Sequence, residues 1–121
     1  VLVTHGHRDH FVPALLEGTA WRVIAPPGMA PAVPADRAAT LEGLAATGIR
    51  VTPITTSHAQ IPHQSYRVVW HGRTLHFTGD TEDVSALLAE RALDVAFVTP
   101  WLYKAATARG AAIGARQVMI Y

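Results

Sequence analysis

Three histidines and an aspartate fall within six positions near the start of the chain. His5, His7, Asp9 and His10 form an HxHxDH pattern directly after the apolar run 1–3. Neutral imidazole nitrogens and carboxylate oxygens are ligands that zinc and similar divalent metals prefer. A buried strand that runs into a ligand-rich loop is also where α/β proteins usually build sites. The pattern therefore predicts a metal centre, and a solvated polar loop is the plainer alternative.

The spacing of these residues predicts how they divide between ions. In an extended segment, residues two apart point to the same side, so His5 and His7 can converge on one ion. Asp9 and His10 are adjacent and diverge where the next helix is expected to begin, so this pair is better placed to hold a second ion. The pattern is thus typical of half of a two-metal site, with further ligands supplied from later in the chain.

Two later junctions between strand and loop offer such ligands. His58 follows a predicted strand that ends near residue 54, and Asp80 follows a second one at 74–78. Neither is specific alone: a lone histidine after a strand is commonly hydrogen-bonded or exposed, and Asp80 could instead cap the helix expected near residue 84. Their order behind the HxHxDH pattern favours a ligand role.

Composition limits the class of protein. The chain has 121 residues, half of them hydrophobic, which is enough for one domain with a real core. A formal charge of +1 gives no electrostatic reason to expect a nucleic acid or a membrane surface as partner. Cysteine is absent, which excludes disulfides, thiolate ligands and a cysteine nucleophile. No apolar run reaches the roughly 18 residues of a membrane-spanning helix, so none is expected.

Hydrophobic periodicity and turn residues predict alternating elements. The expected strands are 1–4, 21–25, 49–55, 66–70, 74–78, 95–98 and 116–120, and the expected helices are 11–17, 34–47, 84–92 and 104–115. A hairpin across 71–73 makes the sheet mixed, so the fold class is α/β with helices packed on a mixed β-sheet. Because both ends of the chain fall inside predicted strands, we expect a single domain over 1–121 that is truncated at both ends.

These motifs resemble the metallo-β-lactamase superfamily of metal-dependent hydrolases. The resemblance rests on the HxHxDH pattern, on His58 and on the Gly79-Asp80-Thr81 motif. It implies that the chain is part of the αββα fold of that family. The metal ligands that it implies are His5, His7, Asp9, His10, His58 and Asp80.

The resemblance also implies how those ligands are shared. His5, His7 and His58 would hold one ion, Asp9 and His10 would hold the other, and Asp80 would bridge the two. The family's last histidine ligand would follow the final strand, beyond Tyr121. The implied cofactors are two divalent metal ions, zinc foremost, with iron or manganese as alternatives.

The region 66–81 is more similar to the branch that contains ascorbate-6-phosphate lactonase, and RNase Z-like phosphodiesterases share part of it. The context of His58, in the segment 57–63, argues against the glyoxalase II-like and β-lactam-cleaving branches. The segment 101–104 departs from the lactonase branch, which usually has a glycine-rich loop there. The sequence therefore does not select a substrate.

The implied activity is hydrolysis of an ester, a lactone or a phosphodiester. Zinc lowers the pKa of its bound water to about 7, which supplies hydroxide at neutral pH. Asp9 is the expected catalytic proton acceptor. We expect a cytoplasmic protein that acts on a small molecule. Two alternatives remain: an iron-dependent oxidoreductase on the same fold, and a metal-binding protein without catalysis.

The other histidines have weaker predicted roles. His63 can approach the mouth of the site, His71 is expected in the hairpin turn, and His76 is expected to face a helix layer or solvent. Trp101 and Tyr103 can line a pocket, although an aromatic cluster that closes the core is the commoner arrangement.

Overall fold

A computed structural model describes residues 1–121 of the chain. Its centre is a five-stranded sheet in which the strands lie in sequence order. The strands are β1 (Arg50–Thr56), β2 (His63–Trp70), β3 (Arg73–Phe77), β4 (Leu93–Val98) and β5 (Ala115–Ile120). β1, β2 and β3 pair antiparallel, whereas β3, β4 and β5 pair parallel. The predicted mixed sheet is confirmed.

Helices connect the parallel strands. α2 (Val84–Ala89) joins β3 to β4, and α3 (Pro100–Ala108) joins β4 to β5. Both pack on the sheet around one apolar core. The buried core residues are Val84, Leu87, Leu93, Ala96, Val98, Leu102 and Ala106. Burial of this apolar surface is the main force that holds the α/β layers together, and the predicted α/β class is confirmed.

α3 lies earlier in the chain than the predicted helix at 104–115. Pro100 occupies its first turn, where the fixed φ of proline suits a helix start and its missing N–H costs nothing. Gly110 follows the helix with a φ of +66°, a left-handed conformation that ends helices. No helix of the structure is both long and apolar enough to cross a bilayer.

The β2–β3 hairpin is as predicted. Trp70 pairs with Arg73, which leaves His71 and Gly72 as a two-residue turn. Both have positive φ, 47° and 72°, as a type I′ turn requires. Pro53 lies within β1, an edge strand that pairs only with β2, and edge strands are where a sheet tolerates proline.

The first 40 residues differ from the prediction. The expected strands at 1–4 and 21–25 are extended segments joined by single bridges, Leu2 to Ile24 and Val23 to Ala38. Helical structure before residue 40 is limited to the 3-10 helices Pro13–Leu16, Pro27–Ala32 and Ala35–Arg37. These segments enclose a second, smaller core of Val3, Phe11, Leu16, Val23 and Met29.

The predicted helix at 34–47 is wrong as a single element. Only α1 (Leu41–Ala45) is α-helical, and it begins where Thr40 is extended and its Oγ1 accepts a hydrogen bond from Gly43 N at 3.0 Å. Just before it, Ala39 N donates to Val23 O at 2.8 Å. Residues 38–40 therefore pair with the backbone of the 21–25 segment and do not form helical hydrogen bonds.

Candidate metal centre

The HxHxDH segment is fixed to the start of β2. Tyr66 Oη donates a hydrogen bond to Val3 O at 2.7 Å, and Gln64 N donates to Thr4 O at 2.9 Å. Both contacts precede His5 directly, so they set the position from which the histidines project.

A tight turn then brings the rest of the segment back. His10 N and Phe11 N both donate to His7 O, at 3.0 and 2.9 Å. The buried side chain of Phe11 anchors the end of the turn in the smaller core. The rings of His5 and His10 consequently lie close together, with centroids 4.1 Å apart.

Three imidazoles converge at His7. Its Nδ1 lies 3.2 Å from His5 Nε2 and 3.3 Å from His58 Nε2. Nδ1 carries at most one proton, so it can donate to only one of these nitrogens. Ligands about 2.0–2.1 Å from a tetrahedral zinc lie about 3.3–3.4 Å from one another. Both distances to His7 Nδ1 therefore match the spacing of ligands on one ion, and all three residues offer ligand atoms within 4.8 Å of one another.

A second set of donors adjoins the first. His5, His10 and Asp80 each offer an atom within 4.8 Å of the other two, and His10 Nε2 lies 3.3 Å from Asp80 Oδ2. His5 belongs to both sets. Five of the six residues predicted from the sequence are thus brought together.

Asp9 is the sixth, and it lies apart from both sets. Its side chain is 78% exposed, and its Oδ2 lies 3.8 Å from His10 Nε2. Its carboxylate therefore lies at the exposed rim of the site, next to His10, which the sequence analysis assigned to the same ion.

Asp80 does not cap the helix that follows it. That role belongs to Asp83, whose Oδ1 accepts a hydrogen bond from Ala86 N at 2.9 Å. Thr81 Oγ1 instead donates to Ser57 O at 2.8 Å, which ties the loop after β3 to the loop after β1. This tie holds Asp80 and His58 on the same side of the site, and the capping alternative for Asp80 is excluded.

The chain's own electrostatics suit metal binding. His5 is fully buried, and burial, aided by the neighbouring imidazole of His10, lowers its pKa to about 4. His5 is therefore neutral at pH 7, which is the form of imidazole that binds metal. Nitrogen and carboxylate donors without a cysteine match zinc, iron or manganese better than a soft thiolate-bound metal, so the residues present fit the metal that the sequence predicts.

His63 joins the histidine cluster, although its predicted role was weak. Its ring lies 5.2 Å from that of His5 and 5.7 Å from that of His58, and burial lowers its pKa to about 4. Nε2 is buried without a hydrogen-bond partner. Thr56, its cross-strand partner, lies 2.7 Å from Nδ1 through its hydroxyl.

The hydroxyls behind His63 determine its tautomer. Ser65 Oγ donates to Thr78 O at 2.7 Å, so it must accept from Thr56 Oγ1, 3.2 Å away. Thr56 Oγ1 must then accept from His63 Nδ1, which leaves the lone pair on Nε2. A sequence signal for this arrangement was present: polar residues recur at 63 and 65, two apart on β2, where apolar ones would face a core.

A groove with a volume of about 560 Å³ opens beside the histidines. His7, His58 and Asp80 form one side of it, and the first turns of α3 form the other through Trp101 and Leu102. Glu82 also lines the groove, and no lysine or arginine does. Tyr103, the other aromatic predicted at a pocket, is not part of its lining.

Among the comparisons with known proteins, the one with solved structures bears on the fold. No protein-family model and no curated protein matches the sequence. The metallo-β-lactamase fold protein YhfI from Bacillus subtilis is similar in structure, with a TM-score of 0.58 at 16% identity over 82% of this chain and 49% of that one. A protein from Parabacteroides distasonis, provisionally named a metal-dependent hydrolase, gives a TM-score of 0.48 at 18% identity over 81% of this chain and 51% of that one.

The chain therefore has the metallo-β-lactamase fold, as its motifs predicted, and it spans about half the length of the solved structures that it matches.

Proposed function

We propose that this chain carries the metal-binding part of a metal-dependent hydrolase that acts on an ester, a lactone or a phosphodiester. The observation that carries the proposal is the approach of His5 Nε2 and His58 Nε2 to within 3.3 Å of His7 Nδ1. An imidazole nitrogen offers one proton or one lone pair, so His7 Nδ1 can form a well-directed hydrogen bond to only one of the other two nitrogens, whereas a divalent cation can be bound by all three.

The chain's residues would have separate roles as metal ligands, as a proton acceptor and as the walls of a substrate groove. His5, His7 and His58 would hold one ion, and His10 with Asp80 would hold the second, next to the shared His5. A bound divalent metal would supply a Lewis acid and a water that ionises near neutral pH. Asp9, exposed at the rim and 3.8 Å from His10, is free to accept a proton and pass it to solvent. The groove beside the histidines would hold the substrate against the centre.

Metal analysis joined to a hydrolysis panel tests this proposal. The full-length protein, purified without added metal, is expected to contain zinc or another divalent ion and to hydrolyse simple esters, lactones or bis(p-nitrophenyl) phosphate. His7→Gln should lower the metal content and abolish activity. His71→Gln, on the exposed hairpin turn, is the matched control and should change neither.

Two outcomes would contradict the proposal. Bound iron with no hydrolysis of any panel member would favour the oxidoreductase alternative. An unchanged metal content in His7→Gln would mean that the three imidazoles do not hold an ion together.

A further inference from the structure

We propose that the 3-10 helix Pro27–Ala32 sets the distance between His7 and His58, with Gly28 and Met29 as positioning residues. This inference rests on the proposed metal-binding function and concerns how the ligands are held, whatever the substrate. The helix lies between the two segments that carry these histidines, and it contacts both of them.

Met29 connects the helix to the HxHxDH segment. Its side chain is 7% exposed and belongs to the smaller core with Val3 and Phe11, which flank that segment on its two sides. Met29 also lies against Gly6, the glycine inside the pattern: a Cβ added to Gly6 would be 3.5 Å from Met29 Cε and 3.8 Å from its Sδ. One buried side chain thus packs against the middle and both ends of the segment, and close packing of this kind transmits any displacement.

Gly28 connects the same helix to the loop that carries His58. A Cβ added to Gly28 would lie 2.5 Å from Pro62 Cγ and 2.9 Å from Pro62 Cβ, well inside the roughly 3.5–4.0 Å at which carbon atoms pack. Gly28 does not have a positive φ, so its backbone conformation does not require glycine. The space requires it, because the helix backbone lies directly on the rigid proline ring.

The loop after β1 depends on such a support because its backbone is strained. Ala59 and Gln60, which follow His58 directly, have φ values of 44° and 58°, a left-handed conformation that is unfavourable for residues with a side chain. A hydrogen bond to His58 O at 2.9 Å, from the N–H three residues later, closes the turn. Strained segments persist only where their surroundings hold them, and here Pro62, packed on Gly28, follows the turn at once.

The loop is therefore held on both sides of His58. Thr81 fixes the residue before it by a hydrogen bond, and Gly28 supports the end of the strained turn after it. Met29 holds the HxHxDH segment from the same short helix. The spacing of His7 and His58, which are 51 positions apart in the sequence, thus depends on a helix that contains no ligand.

Zinc titration of the full-length protein, by competition with a chromophoric chelator, tests the inference. Gly28→Ala adds the colliding methyl group and displaces Pro62, and with it the turn that presents His58. The ion that His58 helps to hold should be bound about 10–100-fold more weakly, the loss typical of groups that orient a ligand. The second donor set does not include His58, so its affinity should change less.

Gly114→Ala is the matched control for overpacking. Gly114 also lacks a positive φ, and a Cβ there would collide with the carbonyl oxygen of Glu90. It precedes β5, which runs parallel to β4 and β3, so it lies at the end of the sheet opposite the histidines. Urea unfolding should show a loss of stability in both Gly28→Ala and Gly114→Ala, whereas only Gly28→Ala should lose zinc affinity.

A pair of variants tests Met29. Met29→Ala removes the contact with Gly6 and should weaken zinc binding, whereas Met29→Leu keeps the volume of the side chain and should restore it to near the parent's value. The visible absorption of Co²⁺ bound in place of zinc reports the geometry of the ligands. It should differ from the parent's spectrum in Gly28→Ala and Met29→Ala, and match it in Met29→Leu and Gly114→Ala.

The outcomes separate this inference from the proposed function. An unchanged metal content in His7→Gln would overturn both. If His7→Gln lowers the metal content but folded Gly28→Ala and Met29→Ala keep the parent's zinc affinity and cobalt spectrum, the metal centre stands and the inference is overturned. If Gly28→Ala does not fold, Pro62→Ala tests the same contact, because it removes ring atoms and adds none. It should also weaken zinc binding, and an unchanged affinity would overturn the inference.

Discussion

Asp80 Oδ2 lies 3.3 Å from His10 Nε2, across the gap between the loop after β3 and the turn that ends the HxHxDH segment. The carboxylate is thus directed at a histidine, whereas the neighbouring Asp83 caps α2. Two acidic residues three positions apart therefore have separate tasks, and this separation can be tested.

Asp80→Ala should remove metal while leaving the fold intact. Asp80 makes no capping bond to α2, so its loss should cost little stability, but a donor of the second set disappears. Hydrolysis is expected to fall by more than the roughly 10–100-fold typical of groups that only orient a ligand. Metal content by elemental analysis and activity on a neutral ester measure the effect.

Asp83→Ala provides the contrasting control. It removes the N-cap bond to Ala86 N, so the free energy of unfolding should fall by about 0.5–2 kcal/mol while metal content stays the same. If Asp80→Ala keeps its metal and its turnover, the assignment of Asp80 to the centre is wrong.

Metal removal should destabilise the folded protein. A ligand that binds only the native state stabilises it by about 2.7 kcal/mol when its free concentration is about 100 times its Kd. Urea unfolding with zinc and with a chelator should therefore give clearly different free energies of unfolding. His7→Gln should shrink that difference, and an equal response of the parent and the variant to zinc would count against the three-histidine set.

The strands and the hairpin were predictable because their signals are local. Alternating apolar residues and the His71-Gly72 turn need no distant partner, and β2 and β3 form where expected, although β2 begins at His63, three residues before its predicted start. The first 40 residues were not predictable in the same way. Their conformation depends on single backbone bridges, such as Leu2 with Ile24, and a bridge between distant segments has no periodic pattern in the sequence.

The grouping of the candidate ligands was predictable from the sequence, and their surroundings were less so. HxHxDH and the order of His58 and Asp80 were sufficient to bring five donors together, because strands that end at one edge of a sheet place their loops side by side. The sequence analysis gave His63 only a weak role. The position of its ring depends on the pairing of β1 with β2, which puts Thr56 opposite it. The register of two paired strands cannot be read from the sequence of one strand.

Gly79→Ala should disturb the centre without touching a ligand. Gly79 has a φ of +58°, and a Cβ there would lie 2.7 Å from His63 Nε2 and 2.8 Å from Thr4. The left-handed backbone costs about 1–2 kcal/mol for alanine, and the overpacking adds about 1–3 kcal/mol. Urea unfolding should show this loss together with weaker metal binding.

Gly72→Ala is the matched control for that experiment. Gly72 has a φ of +72°, but a methyl group added there would meet nothing within 4 Å, so only the backbone cost of about 1–2 kcal/mol applies. Equal losses for the two variants would show that the close packing of Gly79 against His63 does not matter.

His76 should make stability depend on pH. It is 1% exposed in β3, and both of its ring nitrogens lack a hydrogen-bond partner. Burial lowers its pKa from 6.5; nearby Glu90 opposes this shift, and Arg67 adds to it. The sequence analysis expected His76 to face a helix layer or solvent. In the structure its side chain is buried and does not face solvent.

The sign of the effect follows from proton binding. As pH falls below about 6.5, the unfolded chain takes up a proton at His76 before the folded chain does, so the free energy of unfolding decreases. Above that pH the residue is neutral in both states and contributes no pH dependence. His76→Leu removes this contribution and also removes an unpaired buried polar ring, so the variant should be at least as stable as the parent at pH 7.5.

Urea unfolding at pH 7.5 and pH 5.0 measures the contribution of His76 to the pH dependence of the free energy of unfolding. A chelator is present so that metal binding does not contribute. His76→Leu should lose less stability between the two pH values than the parent. Some loss should remain, because burial also lowers the pKa values of His5 and His63. If parent and variant lose the same amount, His76 is protonated as readily in the folded chain as in the unfolded one, and its burial does not control its charge.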